Sequence, residues 1–305
     1  MDFEVFSTAE IYRLNQGCDF YGVVGYPVKH TLSPVMQQAA LDALGVNAKY
    51  LAFEVSPHEL AELLPVFAKK GAKGLNLTVP HKEVVISQLA ELSDTARQAG
   101  AANTLSFLGD GRIVGHNTDA LGFSRAIREE FMLDLRGLRV LILGAGGAAR
   151  AVALQCVLED ADEVVIANRT LEKARKIAEQ VKKFRRTEKL IGPQEPLRAV
   201  PLDVELLRGV LDHIDLVVNC TSLGLAPGDA SPLPQRCFQP HHLVYDTIYR
   251  PLRTPLMLEA SRAGARVANG LSMLLHQGAL SLEIWLGREA PLAVMRLALM
   301  KAAGT

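Results

Sequence analysis

Short apolar runs alternate with amphipathic stretches along almost the whole chain, and this rhythm limits the folds open to it. In order come "FYGVVGY", "SPVMQQAALDALG", "KYLAFEV", "HELAELLPVFAKKG" and "GLNLTV". The apolar runs suit strands buried on both faces, and the segments between them repeat their apolar positions at helical spacing. Strand, helix, strand, helix, strand implies a parallel sheet covered by helices. A second series opens near residue 138 with "LRVLILG", a helix over about 146–159, "EVVIAN", a helix over about 171–184, then "DLVVNCT" and "HLVYDTIY". The expected class is therefore α/β, as two tandem α/β units. A chain of 305 residues exceeds a comfortable single core, which agrees.

The connecting segments are less regular. "GHNTDALGFSRAIREEFMLDLRG" reads as a helix behind a Thr/Asp cap that bridges the units. "KKFRRTEKLIGPQEPLRAVPL" is charged and proline-bearing, and reads as a loop-rich excursion. The tail offers two apolar helices, "LSMLLHQGALSLEIWLG" and "PLAVMRLALMKAAG", that must pack on something.

Thirty-three basic residues face thirty-three acidic ones, so no global field exists to hold nucleic acid or an anionic membrane. The expected partners are small molecules or another copy of the chain, with a small-molecule substrate bound by a monomer or homodimer. "MDFEVFSTAEIYRLNQG" has early acidic residues and no apolar run, unlike a signal peptide, and a cytoplasmic location is expected. The most apolar region, "VLILGAGGAARAVALQCVL", is interrupted by glycines and Arg150 and does not suit a membrane span. Cys18, Cys156, Cys220 and Cys237 show no C-x-x-C spacing, so neither a zinc site nor a disulfide framework is suggested. Cys156 and Cys220 read as small core residues.

"VLILGAGGAARAV" places Gly144, Ala145, Gly146, Gly147 and Ala148 directly after a strand and at the mouth of a helix, with Ala149 in the last small position. This is the G-x-G-x-x-G/A turn, in which glycines let the backbone approach a pyrophosphate and helix N–H groups stabilise its charge. The next strand ends in "ANRT". A protein selecting NAD would be expected to carry Asp or Glu there for the ribose 2′-hydroxyl. Asn168, Arg169 and Thr170 stand there instead, with Lys173 a turn later, a set suited to a 2′-phosphate. NADP is the expected cofactor.

Hydride delivered to a ketone leaves an alkoxide that needs a proton. The eight histidines show no metal-ligand spacing and no G-x-S-x-G elbow exists, so no metal is expected and lysine becomes the candidate. In "KGLNLTVPHKEVV", Lys82 falls where a helix should begin, although helix amino ends favour carboxylates. The helix end and partial burial would both disfavour its ammonium form, while a carboxylate nearby, such as Asp119, would support it. Taken alone, Asp119 is also a good helix cap and Lys82 a possible surface lysine. Asn103 and Gln277 alone read as ordinary capping or satisfied polar residues.

The blocks "HTLSPVMQ", "NLTVPHK", "GAANTL", "GHNTDALG", "GAGGAAR", "ANRT", "YDTIYRP" and "NGLSMLLHQ" occur in an order that resembles the shikimate dehydrogenase family over almost the whole chain. The resemblance implies a substrate domain over 1–120, a Rossmann-type NADP-binding domain over 121–269, and carboxyl-terminal helices over 270–305 returning to the first domain, with the active site in the cleft between domains. It implies Lys82 and Asp119 as the catalytic pair. Thr31 and Ser33 would bind the substrate carboxylate, Thr78, Asn103 and Gln277 the ring hydroxyls, and Tyr249 would line the pocket. Thr247, Gly270 and Met273 would lie near the nicotinamide. The family block usually begins with serine where this chain has Thr31, which adds a methyl group beside the carboxylate pocket and leaves tolerance for quinate open.

The function so implied is NADP-dependent interconversion of 3-dehydroshikimate and shikimate. A quinate/shikimate dehydrogenase using NAD, a relative acting on an amino analogue, and a ligand-sensing module on the same fold are the alternatives. Retention of both Lys82 and Asp119 weighs against the last.

Overall fold

The computed structural model describes residues 3–14, 19–185 and 195–304. Cys18 lies outside them, as do residues 186–194 of the charged excursion. The chain divides into two compact units, one of Met1–Gly122 with Leu274–Thr305, the other Phe123–Met273. The sequence boundaries at 120/121 and 269/270 fall a few residues earlier, because both structural boundaries lie inside helices.

The first unit contains β1 (Val5–Ser7), α1 (Thr8–Arg13), β2 (Phe20–Gly25), α2 (Ser33–Ala43), β3 (Lys49–Glu54), α3 (Leu60–Lys70), β4 (Ala72–Leu77), α4 (His81–Val84), β5 (Glu91–Leu92), α5 (Asp94–Ala99), β6 (Thr104–Phe107), β7 (Ile113–His116) and the start of α6 (Asp119–Phe131). Its sheet runs β1-β3-β2-β4-β6-β7-β5. β1 to β4 pair in parallel, as the strand–helix rhythm requires. The second half departs from the all-parallel expectation, since β6 is antiparallel to both β4 and β7. The cause is local. Leu108 N–H donates to the Arg112 carbonyl at 2.9 Å and Gly111 N–H to that of Leu108 at 3.0 Å, and a link this short can only reverse the chain.

That reversal positions the polar residues of the unit. Thr104 pairs with Asn76 on one side and with His116 on the other, which sets Asn103 between the ends of β4 and β7. Beneath the sheet, Phe53 packs its ring on Phe6, Phe20 and Phe67 at centroid distances of 5.8, 5.8 and 4.9 Å. Phe20, Phe53 and Phe67 with Leu63, Leu75 and Leu105 are buried core that holds the strand ends in register, and the half-buried Phe6 packs against it.

The second unit holds β8 (Arg139–Leu143), α7 (Gly147–Leu158), β9 (Glu163–Asn168), α8 (Leu171–Lys182), β10 (Leu197–Pro201), α9 (Val204–Leu211), β11 (Leu216–Asn219), β12 (Leu243–Asp246), α10 (Pro255–Arg262) and β13 (Arg266–Ala268). Every pairing in its sheet, β10-β9-β8-β11-β12-β13, is parallel. β10 corrects the loop-rich reading of its segment, because Leu197–Pro201 completes an edge beside β9. From β8 the chain winds outward to β10, then returns to lay β11 on the other side. The β8/β11 junction is thus a topological switch point, where such sheets open a crevice for ligands. Cys156 is buried as expected, whereas Cys220 is only half-buried, because it follows β11 at that junction.

Two helices close the chain, α11 (Leu271–Leu286) and α12 (Leu292–Ala303). In α11, Trp285 Nε1–H donates to the Leu105 carbonyl at 2.9 Å and its ring lies 5.0 Å from that of Tyr21. Gln37 Nε2–H of α2 donates to the Gly278 carbonyl at 2.9 Å, and α12 packs along α2. Among the described residues no helix is long and apolar enough to cross a membrane.

Candidate active site

In the first unit the segments after β2 and β4 leave the same edge of the sheet. Tyr26 N–H donates to the Val79 carbonyl at 3.0 Å, and Thr78 N–H to that of Val24 at 2.9 Å. Thr31 and Ser33 lie on the first of these segments, both buried, with Ser33 N–H donating to Thr31 Oγ1 at 3.2 Å at the start of α2. Thr78, half-buried, precedes Lys82 on the second.

Lys82 Nζ donates to Asp119 Oδ2 at 2.7 Å, and the side chains are 16% and 4% exposed. The electrostatic setting differs from the expected one. α4 is a single turn, so its dipole is small beside a full carboxylate charge in direct contact. Beside Lys82, His81 Nε2 meets the Val55 carbonyl at 2.9 Å, and burial pushes its imidazole below the usual range. It is therefore neutral near pH 7 and adds no competing cation.

The Thr/Asp cap also needs correction. Thr118 supplies the first helical carbonyl, accepting from Gly122 N–H at 2.9 Å, but the side-chain cap is Asn117, whose Oδ1 accepts from Ala120 N–H at 3.1 Å. Asp119 is thereby released from capping. Its second oxygen, Oδ1, accepts from Asn103 Nδ2 at 3.0 Å. Asn103 is 1% exposed and also donates to Gln277 Oε1 at 3.1 Å and Thr118 Oγ1 at 2.8 Å, while its Oδ1 accepts from Thr118 N–H at 2.7 Å. Direct hydrogen bonds thus join Lys82, Asp119, Asn103 and Gln277.

A buried layer behind them escaped the sequence reading. Asn76 Nδ2 donates to Ser281 Oγ at 2.9 Å and Thr104 Oγ1 at 3.2 Å, and Asn76 Oδ1 accepts from Tyr50 at 2.7 Å. Ser281 meets Thr118 at 3.2 Å, which links this layer to Asn103. The available signal was the asparagine inside the apolar run "GLNLTV", since a buried amide requires partners.

In the second unit, Gly144 adopts φ +108°, and a Cβ there would lie 3.0 Å from the Cys220 carbonyl oxygen. Only glycine fits both constraints. Gly146 is exposed with nothing within 4 Å of a built Cβ, and Ala145, Gly147 and Ala148 are half-buried, whereas Ala149 is fully buried. An open cradle of main chain at the amino end of the twelve-residue α7 results. Arg169, Thr170 and Lys173 are exposed at the end of β9, while Asn168 Nδ2 donates to the Thr170 carbonyl at 2.9 Å and holds that turn. This donor set, with no carboxylate at the strand end, fits a dinucleotide bearing a 2′-phosphate. Thr247 Oγ1 donates to the Asn219 carbonyl at 2.8 Å, Gly270 N–H to that of Ile248 at 3.1 Å, and Met273 N–H to the Tyr245 hydroxyl at 3.1 Å. Tyr249 is half-buried in the segment after β12.

A parallel sheet with a glycine cradle at its switch point, in one chain with a separate α/β unit that pairs a half-buried lysine with a buried aspartate, defines a dinucleotide-dependent oxidoreductase. Models of the shikimate dehydrogenase substrate-binding domain, of shikimate/quinate 5-dehydrogenase and of the shikimate 5′-dehydrogenase carboxyl-terminal domain match residues 23–105, 126–223 and 270–300. Shikimate dehydrogenase (NADP⁺) of Methanopyrus kandleri is 45% identical over 92% of this chain and 94% of its own. The Thermus thermophilus shikimate 5-dehydrogenase structure, in complex with NADP(H) and shikimate, superposes with a TM-score of 0.79 at 36% identity, covering 93% of this chain and 99% of that one. Quinate dehydrogenase of Corynebacterium glutamicum, in complex with NAD, gives a TM-score of 0.81 at 27% identity, covering 93% and 99%. The chain belongs to the shikimate dehydrogenase family.

Proposed function

We propose that the protein catalyses the reversible NADP-dependent reduction of 3-dehydroshikimate to shikimate. The observation that carries the reading is the Lys82–Asp119 contact of 2.7 Å, an ammonium and a carboxylate that are both largely withdrawn from water. NADP, when bound, supplies the hydride chemistry. Gly144, Ala145, Gly146, Gly147 and Ala148 would hold its pyrophosphate, Asn168, Arg169, Thr170 and Lys173 its 2′-phosphate end, and Thr247, Gly270 and Met273 its nicotinamide end.

Lys82 moves the proton. As the ketone is reduced, the Lys82 ammonium gives a proton to the oxygen that hydride delivery leaves charged. As the alcohol is oxidised, the neutral amine, formed by releasing a proton to water, takes the hydroxyl proton. Asp119 anchors the ammonium through Oδ2, and Asn103 anchors Asp119 through Oδ1. Thr31 and Ser33 would take the substrate carboxylate, whose planar oxygens need short, directed donors. Thr78, Asn103 and Gln277 would meet the ring hydroxyls, with Tyr249 against the ring. The reading carries a cytoplasmic location, a monomeric or homodimeric chain and no nucleic-acid partner, the last supported by the equal counts of acidic and basic residues.

Steady-state rates with shikimate or quinate against NADP⁺ or NAD⁺ test substrate and cofactor together. Shikimate with NADP⁺ should give the highest kcat/KM, with NAD⁺ lower by roughly 10- to 100-fold, as expected for one or two lost charge-assisted bonds. Binding without absorbance change at the nicotinamide band, in all four pairings, would make the protein a sensing module.

A further inference from the structure

β12 ends in two adjacent residues, Tyr245 and Asp246, for which the roles above have no use. Side chains of adjacent strand residues point to opposite faces, and these two hold different segments. Asp246 is fully buried. Its Oδ1 accepts from Asn219 Nδ2 at 3.0 Å and Ile248 N–H at 3.0 Å, and its Oδ2 from Thr254 Oγ1 at 2.6 Å. These donors stand at the end of β11, in the segment after β12 and at the cap of α10, so one carboxylate fastens three pieces of chain. Tyr245 is equally buried, and its hydroxyl meets Ser272 Oγ at 3.0 Å and accepts from Met273 N–H at 3.1 Å, fixing the first turn of α11.

The segments so held are the ones assigned above to the nicotinamide end of the cofactor. Thr247 directly follows Asp246, and both its N–H and its hydroxyl go to the Asn219 carbonyl, at 3.0 and 2.8 Å. Asn219 is in turn the residue whose side chain Asp246 holds. Gly270 lies so close that a Cβ there would stand 2.1 Å from the Thr247 carbonyl oxygen, so any shift of Thr247 is transmitted to Gly270. A buried carboxylate with only neutral donors is costly, and burial pushes Asp246 up to about 6 against the opposing pull of its three hydrogen bonds. A neutral side chain would fold at lower cost, and this points to a use beyond stability.

We infer that Tyr245 and Asp246 are positioning residues for the nicotinamide half of the cofactor, setting Met273 from one face of β12 and Thr247 with Gly270 from the other. The adenosine half depends on the glycine cradle and the β9 end, which neither residue touches. This rests on the NADP reading above.

The test compares wild type with Asp246→Asn and Tyr245→Phe, the second keeping the ring and all charges should the first fold poorly. Calorimetric Kd values are measured for NADP⁺ and for adenosine 2′,5′-bisphosphate, which carries the adenosine half alone. Hydrogen–deuterium exchange over residues 247–250 and 269–273 is followed in the ligand-free protein. The expected result is NADP⁺ binding weakened by roughly 10-fold or more in Asp246→Asn, where bonds to a charged group change, and by roughly 2- to 10-fold in Tyr245→Phe, whose lost bonds are neutral. Bisphosphate affinity should be unchanged, with faster exchange confined to the two segments. Parallel weakening of both ligands, or unchanged NADP⁺ affinity and exchange in both variants, would overturn the inference. Failure of wild type to bind NADP⁺ at all would instead reject the underlying reading, so the two failures are distinct.

Discussion

Replacing Asp119 by asparagine probes the proton-handling pair with the smallest steric change available. The carboxylate offers one acceptor to each of two donors, Oδ2 to Lys82 at 2.7 Å and Oδ1 to Asn103 at 3.0 Å. An amide has one acceptor and one donor group, so one contact must become donor against donor. The ammonium is the stronger demand, so the amide oxygen turns to Lys82 and its NH₂ faces Asn103 Nδ2. Asn103 keeps Thr118 and Gln277 as acceptors and tolerates the change without losing its place. Lys82 keeps a hydrogen bond but loses its counter-charge. A charge-assisted bond contributes about 1.5–3 kcal/mol, which corresponds to about 10- to 150-fold in rate when it acts in the transition state. Steady-state shikimate oxidation, followed as NADPH absorbance, should show kcat/KM lowered within that range, with the loss carried mainly by kcat. Urea unfolding run in parallel establishes that the variant is folded. A folded Asp119→Asn protein whose kcat/KM stays within about threefold of wild type would refute the pairing as functional.

Two further outcomes follow from the second unit. Arg169→Ala should weaken NADP⁺ binding by about tenfold or more and leave NAD⁺ binding unchanged, because only the 2′-phosphate needs the guanidinium; equal effects on both cofactors by calorimetry would contradict this. Burial raises the Asp246 carboxyl from an ordinary 3.8 to about 6 in the folded protein. Folding with it ionised is therefore penalised by about 3 kcal/mol above pH 6, and the penalty is relieved as pH falls from about 6 toward 4. Urea-derived stability of wild type minus that of Asp246→Asn should accordingly rise between pH 7 and pH 5, and a flat or falling difference would contradict the buried-carboxylate account.

The two α/β units were legible because buried parallel strands carry their apolar character in unbroken runs, as "LRVLILG" and "EVVIAN" do. The β6–β7 reversal was not, since its strands are four residues each and carry the polar residues Thr104, Ser106 and His116 among them. β10 was masked by the charged, proline-bearing stretch around it, and its edge position relaxes the demand for apolar residues on both faces. The glycine cradle was readable because Gly144 and its successors answer local backbone demands. Lys82 and Asp119, 37 residues apart, come together through the pairing of β4, β6 and β7, a non-local fact for which the residues alone offered Asp119 as one candidate carboxylate and the family resemblance implied the pair. Asn117 is the side-chain cap because Thr118 Oγ1 is engaged with Asn103 and Ser281 and both Asp119 oxygens are taken by Lys82 and Asn103.

The most direct measurement is the turnover of Lys82→Ala with shikimate and NADP⁺, alongside its shikimate affinity and folded stability. Proton transfer by Lys82 requires kcat to fall by roughly 10²- to 10⁴-fold in a protein that still folds and still binds NADP⁺. Turnover equal to wild type would contradict it.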